Sequence, residues 1–256
     1  MKNRRDEMLY EMGITTVWHL REAAGQPADT FSTAVAEALS PDVSLVESST
    51  TPGANAPDRS VVASGMDWTA LKAAVAGCRA CALHQRRNNT VFGVGDEQAD
   101  WLFVGEGPGA EEDEQGEPFV GQAGKLLDNM LASIGLLRGE NVYIANVVKC
   151  RPPGNRNPMS EEAAACDGYL QRQIKLIQPR LIVALGKISA NHLLGREASI
   201  ASLRGRLHET HGIPLIVTYH PAYLLRNLPD KAKAWIDLCF AVETLERLKT
   251  QEAAPS

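Results

Sequence analysis

Short apolar runs recur along the chain, separated by segments whose apolar positions fall at helical spacing. The runs are Trp101–Val104 (WLFV), Val142–Val148 (VYIANVV), Leu181–Leu185 (LIVAL) and Leu215–Thr218 (LIVT). Runs of this length, rich in β-formers, predict buried strands. Between them, Leu126, Leu127, Met130, Leu131 and Ile134 share a face of a helix predicted over about 121–135. Further helices are predicted over 160–178, with Ser160 as cap and Glu161 and Glu162 in the first turn, over 187–195 and over 230–249. Asp67 is placed to cap a helix through Trp68, Leu71 and Val75 to Cys78, and Thr90–Phe92 reads as one more short strand. Strand–helix alternation with near-continuous apolar strands implies an α/β fold, a parallel sheet covered on both faces. Upstream, residues 1–22 have helical spacing through Met8, Met12 and Val17, with Trp18 nearby, and offer a surface for a protein partner. Residues 23–66 are rich in Ala, Ser, Thr, Pro, Gly and Asp and poor in large apolar side chains, the composition of a disordered linker. The main domain is therefore expected over 67–250, with a disordered tail at 251–256.

The stretch Trp101–Gly124 organises the chemistry. An apolar strand breaks into a loop with glycines at 105, 107, 109, 116, 121 and 124. In an open α/β sheet, ligands bind at the carboxyl ends of strands, and glycines let backbone approach them closely. Glu106 stands at the strand tip, where a carboxylate can orient a water or stabilise a developing cation; a structural hydrogen-bonding role is the alternative. Glu111, Glu112, Asp113 and Glu114 read as a solvated helix start or loop. Phe119 presents a flat face for a planar ligand. GEGPG lacks the Lys-Ser/Thr of a P-loop and the spacing of a dinucleotide site, and Pro108 removes a backbone donor. Asn146 interrupts an apolar strand, and its amide both donates and accepts, which suits the amide edge of a pyrimidine. His220 follows the fourth strand, in the same layer as Glu106 and Asn146. Behind it, Tyr223, Leu224, Leu225 and Arg226 combine an apolar tip with a cation, the chemistry of a wedge in a base stack beside a phosphate contact; helix packing by the two leucines is the alternative.

Composition narrows the setting. The chain has 256 residues, is 44% hydrophobic and 22% charged, and carries a formal charge of −5. Residues 1–70 hold 5 basic and 10 acidic side chains, so the remainder, with 21 of each, is neutral and its charge does not exclude DNA. MKNRRDEMLYEMG lacks the apolar centre of a signal peptide and no run reaches membrane-spanning length, so a cytoplasmic protein without a membrane partner is expected. The five cysteines are Cys78, Cys81, Cys150, Cys166 and Cys239, an odd number that argues against a disulfide framework. C-x2-C, a long gap and then C-x15-C can converge on one four-thiolate site, for zinc or for an iron–sulfur cluster; four buried apolar cysteines are the alternative. Cys239, at helical spacing with Trp235 and Val242, reads as core.

Taken together, C-x2-C at 78–81, GEGPGAEED at 105–113, GEPFVGQAGKLL at 116–127, NVVKCRPPGNRNP at 146–158, Cys166 and HPAYLLR at 220–226 resemble the family 4 uracil-DNA glycosylases. These are the iron–sulfur branch of their superfamily. The resemblance runs from about Cys78 to Leu248 and leaves the first 65 or so residues uncovered. It implies a three-layer αβα fold around a four-stranded, mainly parallel sheet, and a [4Fe–4S] cluster on Cys78, Cys81, Cys150 and Cys166. It also implies action on uracil-containing DNA, single- or double-stranded, that leaves an abasic site; a monomer is expected. By the same resemblance Glu106 is the catalytic acidic position, Gly107 and its neighbours contact the base or the water, Phe119 stacks on the flipped uracil, Asn146 bonds its edge, and His220 faces its O2 side. Arg151 and Arg156 are expected near phosphate. One branch of the superfamily traps uracil covalently through a histidine in a KRRIH insert; RPPGNRNPMSEE stands there instead, so no covalent trap is expected. Two readings from other classes are a non-catalytic iron–sulfur DNA-binding module and a zinc-containing nucleotide hydrolase.

Overall fold

The computed structural model of the chain describes residues 63–253, the last two by backbone alone. The expected helical segment 1–22, most of the 23–66 linker and the end of the 251–256 tail lie outside the described residues. The first element inside them is α1 (Trp68–Ala76), whose N-terminus is closed by Asp67 accepting from Ala70 N at 2.8 Å. Then come β1 (Val94–Gly95), β2 (Trp101–Gly105), α2 (Ala110–Gln115), α3 (Gln122–Ser133), β3 (Val142–Asn146) and α4 (Ser160–Ile177). They are followed by β4 (Leu181–Leu185), α5 (Lys187–Leu194), α6 (Ile200–Leu203), β5 (His208–Thr210), β6 (Ile213–Thr218), α7 (Pro221–Leu224) and α8 (Lys231–Ala253).

The strands form one sheet in the order β1-β3-β2-β4-β6-β5. The inner four, β3, β2, β4 and β6, are parallel and match the expected apolar runs. Two short antiparallel edge strands raise the count to six. Neither carries a long apolar run, because an edge strand of two or three residues is held by its neighbour's ladder rather than by burial. The short strand expected at Thr90–Phe92 is displaced to Val94–Gly95; Val91 N instead donates to Lys149 O at 2.8 Å. Regular pairing of β3 ends at Asn146, but Val147 N and Val148 N still donate to Gly105 O and Glu106 O. The start of α4 is satisfied not by Ser160 but by Glu162, which accepts from Met159 N at 2.8 Å.

Alternation along β2 divides the core. Leu102 and Val104 face a layer with Leu71, Leu170 and Ile174 from α1 and α4, whereas Trp101 and Phe103 face Leu127, Met130 and Leu238 from α3 and α8. This is the expected three-layer αβα arrangement. The helices that follow β2 and β3 leave to opposite faces, which opens a crevice between the carboxyl ends of those two strands. Cys239 is only half-buried. Among the described residues no helix is long and apolar enough to cross a membrane. Leu127 is fully buried beneath β2 and β4, so Leu127→Ala should lower the unfolding free energy by about 2–5 kcal/mol in a urea titration. Leu137→Ala, at an exposed turn, should stay within about 0.5 kcal/mol.

Candidate active site

Parallel strands bring their carboxyl ends to one edge, and the crevice there is a cleft of about 410 Å³, in the range of small-molecule sites. Glu106, Gly107, Phe119, Asn146, Pro152, His220 and Arg226 are among its walls. The register sets Gly105 of β2 beside Asn146 of β3, so Glu106 leaves its strand next to the Asn146 side chain. Asn146 is buried, and its Oδ1 has no hydrogen-bond partner among the described residues. A buried acceptor left unmatched in this way is costly unless a ligand supplies the donor.

Phe119 forms a wall. Its φ of 56° puts a non-glycine residue in the left-handed region, a conformation that costs roughly 1–3 kcal/mol and persists only where the surroundings impose it. The ring lies 5.5 Å from that of His220, tilted by 30°. Beneath it Gly105 leaves the room: a Cβ there would meet Phe119 Cζ at 2.5 Å and would also strike Asn146 Oδ1.

His220 ends the loop after β6 and caps α7, its Nδ1 accepting from Ala222 N at 3.1 Å. Burial, with Arg226 adding to it, pushes its pKa down to about 4 against a weaker opposing effect of Glu112. At neutral pH the ring is therefore uncharged. With Nδ1 accepting, the ring proton sits on Nε2, where it can be donated. Burial also raises the Glu106 carboxyl above its ordinary range. Burial in the same cleft thus favours the less charged form of both groups.

The expected DNA-contacting residues divide. Tyr223 and Arg226 line the cleft; the Tyr223 hydroxyl donates to Asp230 at 2.7 Å and its ring stacks on Tyr219. Leu225 is 42% exposed, but Leu224 is fully buried against the α3–α8 layer, the helix packing that was its alternative reading. Arg151 donates to Asn155 Oδ1 at 2.7 Å on an exposed edge. Arg156 is held in a two-pronged bond to Glu162, at 2.6 and 2.8 Å, and Glu162 in turn closes the start of α4. That guanidinium braces the loop onto the start of α4 and at the same time lines the cleft.

Cys78, Cys81, Cys150 and Cys166 line one cavity with Val75, Leu83 and Arg87, between α1, α4 and the segment after β3. Arg87 Nη1 donates to Cys150 Sγ at 3.1 Å and Lys149 N to Cys166 Sγ at 3.3 Å, bonds that suit sulfur carrying negative charge. Among the described residues no three Cys, His, Asp or Glu side chains converge on a point that would hold a single metal ion.

Four residues that sequence reasoning passed over hold the site in shape. Glu112, placed in the solvated acidic run, accepts from Gly109 N with Oε2 and from Val120 N and Gly121 N with Oε1, each at 3.0 Å. One carboxylate therefore ties the loop after β2 to the Phe119 segment. Asp113 of the same run is buried and accepts from Asn88 N at 3.0 Å. Lys149 is buried and donates to Asn146 O at 2.9 Å and Gln173 Oε1 at 2.6 Å, fixing the end of β3. Arg138 bonds the Pro118 and Phe119 carbonyls. The Gly109-to-Glu112 spacing is a capping signal; nothing local announces the other three.

A family profile described as the Uracil DNA glycosylase superfamily matches residues 92–241. The chain is 48% identical over 159 residues to a type-4 uracil-DNA glycosylase of Archaeoglobus fulgidus, a match covering 59% of this chain and 79% of that one. To a type-4 uracil-DNA glycosylase of Thermotoga maritima it is 46% identical over 175 residues, 68% of this chain and 88% of the relative. A type-5 uracil-DNA glycosylase of Thermus thermophilus is more distant, at 34% over 149 residues, 51% and 68% of the two chains. The chain belongs to the uracil-DNA glycosylase superfamily, in its type-4 branch.

Proposed function

We propose that this protein is a monofunctional uracil-DNA glycosylase of base excision repair, which extrudes uracil from DNA and hydrolyses its glycosidic bond. The observation that carries the reading is the buried, unmatched Asn146 Oδ1 at the floor of a cleft walled by Phe119 and His220. The imide N3–H of uracil is a donor for that oxygen, and the adjacent carbonyl accepts from Asn146 Nδ2. Cytosine presents a lone pair at N3 and an amine beside it, the reverse pattern. A base inside the duplex is out of reach of such a cleft, so the nucleotide is flipped out and stacks on Phe119.

As the C1′–N1 bond breaks, the sugar gains oxocarbenium character and uracil departs as an anion. His220, neutral with its proton on Nε2, donates toward O2, where negative charge develops, without first giving up a proton of its own. Glu106 orients the attacking water and stabilises the cationic sugar. Among the described residues no lysine lines the cleft, which supports water rather than a lysine as the nucleophile and an intact strand as product. Arg151, Arg226 and the Leu225 tip meet the DNA backbone and the gap left by the flipped base.

The four cysteines around one cavity would hold a [4Fe–4S] cluster, with one thiolate for each iron. Bound there, it would serve a structural role, with Cys78 and Cys81 joined through it to Cys150, in the segment that carries Arg151, and to Cys166 of α4. Residues 1–22 remain the proposed surface for a protein partner, and the enzyme is proposed to act as a monomer.

The direct test incubates iron-containing protein with an end-labelled oligonucleotide carrying one uracil and then adds alkali. Strand breakage only after alkali, and none with thymine in place of uracil, is expected; breakage without alkali or none at all overturns the reading. The pH profile of the single-turnover rate should fall on the acid side as Glu106 protonates, at a pH above that of an ordinary glutamate, and Glu106→Gln should abolish that limb. No limb from His220 is expected between pH 6 and 7, as its pKa lies about 4. Arg151→Ala should reduce the salt slope of DNA binding by about 1, while Arg156→Ala should lower the melting temperature and leave the slope unchanged.

A further inference from the structure

The geometry points to Arg138 as a positioning residue for base excision, which acts through Phe119 by holding the stacking wall in its left-handed backbone conformation. The inference rests on the proposed stacking of uracil on Phe119. Arg138 does not line the cleft. It sits in the turn after α3, where Glu140 N bonds Leu137 O at 3.1 Å and Gly139 has φ of 84°, the pattern of a type II turn with the arginine at its second position. From there the guanidinium uses three edges. Nε donates to Asp128 Oδ1 at 2.8 Å, Nη1 to Pro118 O at 2.9 Å and Nη2 to Phe119 O at 2.8 Å.

Two consecutive carbonyls pointing to one cation define the backbone on either side of the Phe119 Cα. The N–H groups that follow, of Val120 and Gly121, are taken by Glu112 from the other direction. The peptide units on both sides of Phe119 are therefore fixed, one pair by a cation and one by a carboxylate. Gly124 of α3 lies beneath, and any Cβ there would run into the Phe119 carbonyl. With φ at 56°, Phe119 has no intrinsic preference for this geometry. Without the fork its backbone is free to relax to negative φ, which swings the ring away from His220. A lysine can neutralise Asp128 but cannot reproduce the planar fork that serves both carbonyls.

The test is a double-mutant cycle between Arg138 and Phe119, read as the single-turnover excision rate at saturating enzyme and, separately, as Kd for abasic-site DNA. Arg138→Met should slow excision by roughly ten- to a hundredfold, the scale of a misplaced reacting group, with Kd and iron content unchanged. In a Phe119→Ala background the same change should alter the rate by less than about twofold. Arg138→Lys should stay close to Arg138→Met. Asp128→Asn, which leaves both carbonyl bonds in place, should keep the wild-type rate even if it lowers the melting temperature. If Phe119→Ala alone does not slow excision, the stacking reading itself fails. If it does, and Arg138→Met costs the same factor in both backgrounds, or Asp128→Asn reproduces the loss, Arg138 is only a structural residue and the inference is overturned.

Discussion

The site depends on the absence of a side chain at Gly105. The parallel register places this last residue of β2 beside Asn146, and the volume a Cβ would fill is taken by the Asn146 amide oxygen and the edge of the Phe119 ring. Any larger residue would push apart the groups that form the floor and the wall. Gly124 makes the same demand one layer below, where α3 runs directly against the Phe119 backbone. Close packing at two glycines thus sets the shape of the cleft before any polar group is considered.

Burial then sets the electrostatics. Glu106 and His220 line the same crevice, and burial acts on each against its charged form, raising one pKa and lowering the other. For the proposed reaction, which creates a cation at the sugar and an anion on the base, a neutral imidazole donor and a carboxylate in one cleft would need little reorganisation as charge develops. On the proposed reading, the cap that His220 provides to α7 has a second consequence, since it fixes which ring nitrogen carries the proton.

Much of the polar chemistry around the cleft holds backbone rather than ligand. Glu112, Arg138, Lys149 and the Arg156–Glu162 pair each satisfy main-chain groups or a loop. Loops rich in glycine and proline have little regular hydrogen bonding of their own, so side chains from neighbouring elements supply it. The same bracing joins the site to the cysteine cavity: Lys149 bonds Asn146 O through its side chain and Cys166 Sγ through its amide.

The sequence by itself determined the layers, the four central strands, and the residues that gather at the strand ends. Apolar period and strand–helix alternation are local signals, and in a parallel sheet every strand delivers its carboxyl end to the same edge. Glu106, Asn146 and His220 could therefore be placed together without coordinates, and the ordered motifs pointed to the family. Tertiary structure alone decided what each side chain is committed to. Leu224 and Leu225 are neighbours of the same type, yet only the packing of α7 on α3 buries the first and exposes the second. Arg156 resembles Arg151 in sequence but is claimed by Glu162, six residues away and brought near by the turn into α4. Glu112 and Arg138 lie 26 positions apart and meet on the two sides of Phe119 only because β2 and α3 close the loop between them. A side chain's role is fixed by its partners, and partners distant in sequence are assigned by the fold.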